Sequence, residues 1–178
     1  MPHAQKLKRW SRVLYFLTCL GMITVVGSVV FVSFIDQPTA ASLQAAYPDI
    51  NVAPQLSAGI VPAVILVGGL VAVAWLVVLD QMRRLFGCFW TGVVLTESVA
   101  LHIQRIGWGL LLLAGAQVIS VPVISLLLTS DNPAGERSLT VAINSEMLGF
   151  ALAAGLMIVI GWAMREAAAI RAENQAFV

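Results

Sequence analysis

Charged residues are scarce in this chain, and their scarcity points to its class. Only 11% of the 178 residues are charged, whereas 60% are hydrophobic, and the mean hydropathy is +0.92. Soluble globular domains carry about 25% charged and about 45–50% apolar residues. The composition therefore predicts a membrane protein. The net charge of +1 also argues against a basic surface that would bind nucleic acid directly.

Residues that carry chemistry are equally few. The chain has 2 cysteines, Cys19 and Cys88, and 2 histidines, so no metal-ligand spacing arises and no disulfide is expected. No phosphate-binding glycine loop, nucleophile elbow or carboxylate pair occurs. We therefore expect no catalytic, cofactor or metal site. A membrane-bound enzyme would have to assemble its site from dispersed residues such as Glu97, His102 and Glu166.

Long apolar runs take the place of charge. About 20 residues of helix, at ~1.5 Å each, cross a hydrocarbon core of ~30 Å. Four runs predict transmembrane helices within a single all-α membrane domain, at 13–35, 58–79, 107–129 and 146–164. They leave an outer loop at 36–57, a connector at 80–106, an outer loop at 130–145 and a tail at 165–178. The first run exceeds the about 7–15 apolar residues of a signal peptide, so we expect it to be retained.

Basic residues determine the predicted orientation, because positive charge favours the cytoplasmic side. Nine of the ten lie on one side of the predicted spans, and Arg137 alone lies on the other. The nine are Lys6, Lys8, Arg9, Arg12, Arg83, Arg84, Arg105, Arg165 and Arg171. Both termini are therefore predicted to be cytoplasmic. The five tryptophans also fall toward this boundary, where an amphipathic indole prefers to lie.

Small residues within the spans predict close helix contacts, because helices in lipid associate by packing. The pattern favours a compact four-helix bundle and would also allow a homo-oligomer. The residues that carry it are Gly68, Ala72, Gly149, Ala151, Ala153 and Gly155.

The second outer loop contains a strand-like alternation of apolar residues. Leu139, Val141 and Ile143 have a period of two. Asp49–Val52 in the first outer loop could pair with them. This pattern predicts a small two-stranded cap, similar to a β-hairpin, over the outer end of the bundle.

The connector begins with an amphipathic stripe. Apolar residues recur at helical spacing, while Arg84 and Cys88 fall on the other side. The stripe consists of Met82, Leu85, Phe86, Phe89 and Trp90. A basic helix with such a face is expected to lie in the membrane interface, in contact with the lipid bilayer. We expect it to end at Gly92 and a second helix, capped by Thr96, to lead into the third span.

The fourth helix is predicted to continue into the cytoplasm, because its tail is rich in alanine. Together with the connector, this tail is the candidate partner-binding surface. Its residues are Arg83, Arg84, Phe86, Phe89, Trp90, Arg105, Glu166, Arg171, Glu173 and Phe177. Two interpretations stay open: the connector binds a cytoplasmic partner, or it only rests against lipid.

Gln117 is the one strongly polar side chain near the middle of a predicted span. The runs 13–35, 58–79, 107–129 and 147–163 contain no Asp, Glu, Lys, Arg or His, the residues that usually mark ion or substrate paths. Gln117 could line a water-filled path in a small transporter or channel subunit. The interpretation we favour is an interhelical hydrogen bond worth roughly 1 kcal/mol. For His102 we likewise favour a simple polar contact over a pH-sensitive switch.

The connector LDQMRRLFGCFWTGVVLTESVALHIQRIGW and the tail MREAAAIRAENQAFV resemble an uncharacterised bacterial family, domain of unknown function 2975. The connector matches at Arg83, Arg84, Leu85, Phe86, Gly92, Thr96, Arg105, Ile106 and Gly107. The tail is similar at Glu166, Ile170, Glu173, Asn174, Phe177 and Val178. The resemblance implies a four-span protein of the bacterial inner membrane, often encoded beside a small helix-turn-helix regulator. It thereby implies a regulatory protein that sequesters or modulates a transcription factor.

Overall fold

Five helices make up the regular structure of the described residues. The computed structural model describes residues 2–94, 96–133, 135–141 and 145–176. The helices are α1 (Pro2–Phe34), α2 (Ala40–Ala46), α3 (Ile60–Thr91), α4 (Glu97–Thr129) and α5 (Ser145–Ala176). The described residues include no strand. All helices except α2 are long and apolar enough to cross a membrane, which confirms the predicted all-α class and the four candidate spans.

The long helices exceed the thickness of a bilayer. α3 has 32 residues and is therefore about 48 Å long, whereas the hydrocarbon core is about 30 Å thick. The excess lies at the end of the helices that carries 5–12, 80–106 and 164–173, which we call the basic end. Nine of the ten lysine and arginine residues lie there, beyond the apolar runs.

The connector differs from the prediction in one respect. Its first half is not a separate helix in the membrane interface but the last turns of α3. α3 ends at Gly92 and α4 begins after Thr96, as predicted. Residues 80–91 continue the helix because nothing in them interrupts it, and the first left-handed residue is Gly92, with φ 89°.

The apolar stripe of the connector packs on protein rather than facing lipid. It enters a cluster at the basic end, formed between α3 and α4. The buried members are Val78, Leu85, Val99, Ile103 and Ile106, and Met82, Cys88 and Phe89 pack against them. An amphipathic helix is stabilised equally well by any apolar neighbour, so its pattern alone did not reveal the neighbour.

The spanning helices form a row in order of sequence. α1 contacts α3, α3 contacts α4, and α4 contacts α5. Among the described helices, α1 has no neighbour except α3. The rings of Trp75 on α3 and Phe150 on α5 meet with their centroids 5.7 Å apart, although the two helices do not approach each other closely. The predicted compact bundle is therefore open along α1.

Two glycines allow α4 and α5 to touch through their backbones. A methyl group on Gly107 would lie 2.8 Å from the main-chain oxygen of Ala154 and 2.9 Å from the nitrogen of Ile158. A methyl group on Gly161 would lie 2.9 Å from the nitrogen of Gln104. Such contacts are too short for a side chain, so the close approach depends on glycine.

Three of the small residues that were expected to form helix contacts do not form them within the chain. A methyl group on Gly68, Gly149 or Gly155 would meet no atom within 4 Å. The prediction that these three glycines lie at helix contacts within the chain is therefore wrong. Small size permits a close contact, but the rotation of each helix decides which small residues make one.

The end opposite the basic end carries a cap made of α2 and irregular loops. Leu43 of α2 packs with Ile50, Val52, Ile124 and Leu128. The predicted strand at 49–52 is not formed, since the main-chain nitrogen of Val52 donates to Gln44 Oε1 at 2.9 Å instead. The two-stranded cap is thus replaced by a helix and side-chain hydrogen bonds.

The second loop does not pair with the first loop as a strand. Asn132 Nδ2 donates to Asn51 O at 2.8 Å, and further anchoring is to α4. Leu139 and Val141 are exposed, and Ile143 lies outside the described residues. The main-chain nitrogen of Thr140 donates to Ser125 Oγ at 3.0 Å, one turn before α4 ends. An extended segment therefore runs back along α4 before α5 begins.

Along the axis of the helices, the start of α5 does not reach the level at which α4 ends. Gly107 contacts Ile158, and Gly161 contacts Gln104. With this alignment, the start of α5 lies at the level of about Ile119 along α4. α4 continues for about ten residues past that point, which is about 15 Å of helix. The spans are thus of unequal height at this end.

Candidate functional site

A groove at the basic end joins the two parts of the chain that the sequence singled out. It lies between the turn that links α3 to α4 and the last turns of α5, and its volume is about 690 Å³. We call it the turn groove. It is lined by Gly92, Val93, Val94, Thr96, Glu97, Arg165, Ala168, Ala169, Arg171 and Ala172.

Local hydrogen bonds build the turn side of the groove. The main-chain nitrogen of Gly92 donates to Phe89 O at 3.1 Å, and that of Val93 donates to Cys88 O at 3.0 Å. This pair of bonds is the Schellman ending of a helix, which places glycine in the left-handed conformation. The chain leaves α3 sharply, so Val93 and the residue after it turn toward α5.

α1 supports the turn from behind. A methyl group on Gly92 would lie 3.1 Å from Lys8 Cε and 3.3 Å from Lys8 Nζ. The ammonium group of Lys8 thus lies beside the carboxyl end of α3, where the helix dipole favours positive charge. The groove's turn is held between α1 and α5.

An ion pair closes one side of the groove. Arg165 Nη2 lies 3.0 Å from Glu97 Oε1, which connects the start of α4 with α5. Both side chains are more than half exposed, so the pair contributes at most about 1 kcal/mol to stability. It orients the two helices more than it stabilises them.

The remaining lining offers apolar surface and one unpaired cation. Val93 and Val94 are 38% and 37% exposed, and the α5 side consists of alanines. Arg171 takes part in none of the ion pairs among the described residues. The groove can therefore accept an apolar face together with a carboxylate.

Asp80 engages two of the arginines predicted to bind a partner. Its carboxylate lies 2.7 Å from Arg83 Nη2 and 2.7 Å from Arg84 Nε. The hydrogen bond from Arg83 is the main cause that holds the pKa of Asp80 below its usual value. All three residues follow the apolar run of α3.

His102 makes the polar contact that the sequence favoured. Its Nδ1 lies 3.0 Å from Gln81 Oε1 and acts as the donor, since that oxygen can only accept. Burial, and then the positive charges of Arg105 and Arg84, lower the pKa of His102. The ring is therefore neutral at pH 7 and joins α4 to α3.

The predicted aromatic residues anchor helices. Phe89 packs against the cluster at the basic end. Trp90 meets the rings of Tyr15 and Phe16 at 5.8 and 6.3 Å, and the guanidinium of Arg12 lies 5.0 Å from its centroid. These contacts fix α1 on α3, so neither ring is fully presented to a partner.

The other predicted partner-binding residues are distributed around the basic end. Phe86 is half-buried, whereas Arg105, Glu166, Arg171 and Glu173 are exposed. Of the members of the predicted set that the structure describes, Arg171 alone lines the turn groove. Phe177 lies outside the described residues.

No pattern in the sequence pointed directly to the groove's apolar lining. Val93 and Val94 follow a helix-ending glycine, and the alanines at 168, 169 and 172 recur at helical spacing. About 75 residues separate the two groups, so only their tertiary contact makes one site. The Gly92 turn was the one signal that could have located it.

The three residues considered for an enzyme site do not come together. Glu97 pairs with Arg165, His102 contacts Gln81, and Glu166 is exposed. Within the described part of the chain, no three His, Cys, Asp or Glu side chains gather as metal ligands would. Gln117 is half-buried on α4, and within the described residues its side chain makes no hydrogen bond to another helix, so the interhelical bond that we favoured is not formed.

Comparisons of this chain with protein-family models, with curated proteins and with solved structures find no match. The resemblance to domain of unknown function 2975 stays a prediction.

Proposed function

We propose that this is a multi-pass protein of the bacterial inner membrane with both termini in the cytoplasm, and that its turn groove binds a cytoplasmic partner protein. The four apolar helices support the membrane location. The gathering of nine of the ten basic residues at the basic end supports the orientation. The resemblance noted in the sequence suggests a small helix-turn-helix regulator as the partner.

The composition of the turn groove carries this proposal. Alanines on α5 let another backbone approach closely, because their side chains are short. Val93 and Val94 add apolar surface at the rim, and Arg171 adds a cation. An amphipathic helix with small apolar residues and one carboxylate fits such a groove. The protein would then hold its regulator at the membrane and away from DNA.

Filling the groove tests the proposal. Ala169 lines the groove, whereas Ala167 is an equally exposed alanine two residues earlier that does not. Ala169→Phe is expected to abolish co-purification of the regulator from native membranes, and Ala167→Phe to leave it unchanged. Arg171→Glu should reduce recovery of the regulator more than Arg105→Glu, since Arg171 borders the groove and Arg105 does not.

Equal recovery with all four variants would refute binding in the groove. Each variant is first checked for an unchanged helical circular dichroism spectrum and a single elution peak, so that loss of the partner cannot arise from misfolding. The regulator is identified by mass spectrometry, and its recovery is normalised to the membrane protein.

A small transporter or channel subunit is the second candidate. The observation that favours it is the non-helical segment at 138–141, which follows α4 back toward the membrane. Irregular backbone at membrane depth is tolerated where it is covered by protein or lines a cavity. Reconstituted protein would then release trapped ions from liposomes. Flux no greater than that of empty liposomes would exclude it.

A further inference from the structure

A cleft between α1 and α3 opens toward the end that carries α2. Near the basic end the helices are in contact, since a methyl group on Gly21 would lie 3.7 Å from Leu79 Cδ1. Farther along they diverge, and α2 covers the gap. We call the resulting cavity the outer cleft, and its volume is about 590 Å³.

The walls of the outer cleft are apolar and smooth. α1 contributes Val29 and Val32, and α3 contributes Val64, Gly68 and Gly69 among others. A methyl group on either glycine would meet no atom within 4 Å, so the glycines leave open space rather than a helix contact. The volume falls in the range of about 300–1,000 Å³ that is usual for small-molecule sites.

The cleft is deep enough for an alkyl chain. Its α3 wall extends from Val64 to Ala72, which is about 12 Å at 1.5 Å per residue. Its long axis follows the helices and therefore the expected direction of lipid chains. A single chain entering from the open end would contact both helices along this length.

The rim decides which head group suits the cleft. Among the residues that the structure describes, Asp36 is the one charged residue that lines it, and 36–57 contains no lysine or arginine. The neutral polar groups at the rim include Gln37 and Tyr47. The hydroxyls of Thr39 and Ser42 are already engaged in the capping box of α2.

A phosphate or carboxylate head would face Asp36 with no cation beside it. An ammonium head would instead be attracted to the carboxylate and would stay near the aqueous rim, where both charges are solvated. We propose that the outer cleft binds a single-chain cationic amphiphile, with its alkyl chain between α1 and α3 and its ammonium group at Asp36. This site lies at the opposite end from the turn groove and does not depend on the function proposed for that groove.

The experiment measures binding of two probes that share a chain and differ in the head group. The full-length protein is held in a non-ionic amphipol, and dodecyltrimethylammonium and dodecanoate are titrated separately by native mass spectrometry. We expect one dodecyltrimethylammonium per chain, bound more tightly than dodecanoate. Asp36→Asn should weaken the binding of the cationic probe about threefold, as expected for an exposed ion pair. It should leave the binding of dodecanoate unchanged or make it tighter.

Two matched variants test the position of the chain. Gly68→Leu places a side chain in the cleft, whereas Gly155→Leu places one at an open position on α5, outside the cleft. The first should reduce binding of both probes at least about tenfold, and the second should leave both unchanged. The proposal is overturned if Gly68→Leu and Gly155→Leu bind the probes with the same affinity. It is also overturned if the tighter binding of the cationic probe over dodecanoate does not depend on Asp36.

Discussion

The backbone contact between α4 and α5 makes a sharp prediction for Gly161→Ala. The added methyl group would lie 2.9 Å from the main-chain nitrogen of Gln104, whereas ordinary contacts begin at 3.4 Å. The helices must therefore separate locally by about 0.5 Å, the difference between these two distances. Backbone atoms cannot move aside as a flexible side chain can. Overpacking of this kind costs about 1–3 kcal/mol.

A matched variant removes the effect of helix propensity. Replacing glycine by alanine within a helix favours the helix by about 0.8–1 kcal/mol, wherever the residue lies. Gly155→Ala makes the same change on the same helix, at a position with open space around it. The difference in the free energy of unfolding between the two variants thus isolates the cost of separating the helices. We expect Gly161→Ala to be the less stable of the two by about 1–3 kcal/mol.

The measurement is reversible unfolding in mixed micelles, with the free energy of unfolding extrapolated to zero denaturing detergent. Gly107→Ala provides a second test from the facing helix, because its methyl group would meet the backbone of Ala154 and Ile158. If Gly161→Ala proves as stable as Gly155→Ala, α4 and α5 do not touch through their backbones. The level of α5 along α4, which was derived from that contact, would then be wrong.

Two further predictions concern the basic end. Gly92→Ala should lower the free energy of unfolding by about 1–2 kcal/mol, because φ is 89° there and Lys8 lies against the position. Gly115→Ala, at an open helical position, should not lower it. Equal free energies of unfolding for the two variants would contradict the turn described above. The lowered pKa of His102 means that the unfolded chain binds its proton more readily, so stability is present above the ordinary pKa of 6.5 and falls as pH drops below it. His102→Gln should reduce this dependence in unfolding measured from pH 8 to pH 5, and an unaltered pH profile would exclude His102 as its source.

Much of the architecture could be predicted because it depends on local sequence. The apolar runs exceed the length needed to cross a bilayer, and neither their partners nor their rotation affects that result. The end of α3 at Gly92 was also foreseeable, since a left-handed residue after a helix is usually glycine. α4 begins after Thr96 as expected, but the Thr96 side chain does not make the capping hydrogen bond that the sequence predicted.

The site was only partly foreseeable. Arg171 was expected on a cytoplasmic surface and does border the turn groove. Phe89 and Trp90 were expected to contact lipid or a partner, yet they pack on other helices of the same chain. An aromatic face on a helix has the same pattern in all three situations. The choice among them depends on which helix lies opposite, and that is a property of the assembled fold.

The sequence by itself determined that four segments are apolar enough to span a membrane, where they break and which ends carry the basic residues. Each of these follows from a sum over neighbouring residues, and no distant contact alters it. The tertiary structure alone decided that Gly107 and Gly161 meet α5 and α4 while Gly68 borders an open cleft, and that the turn at 92–96 faces the alanines of α5. Those outcomes depend on the relative rotation and height of whole helices, which small residues permit in many combinations and which only the packing of complete side chains selects.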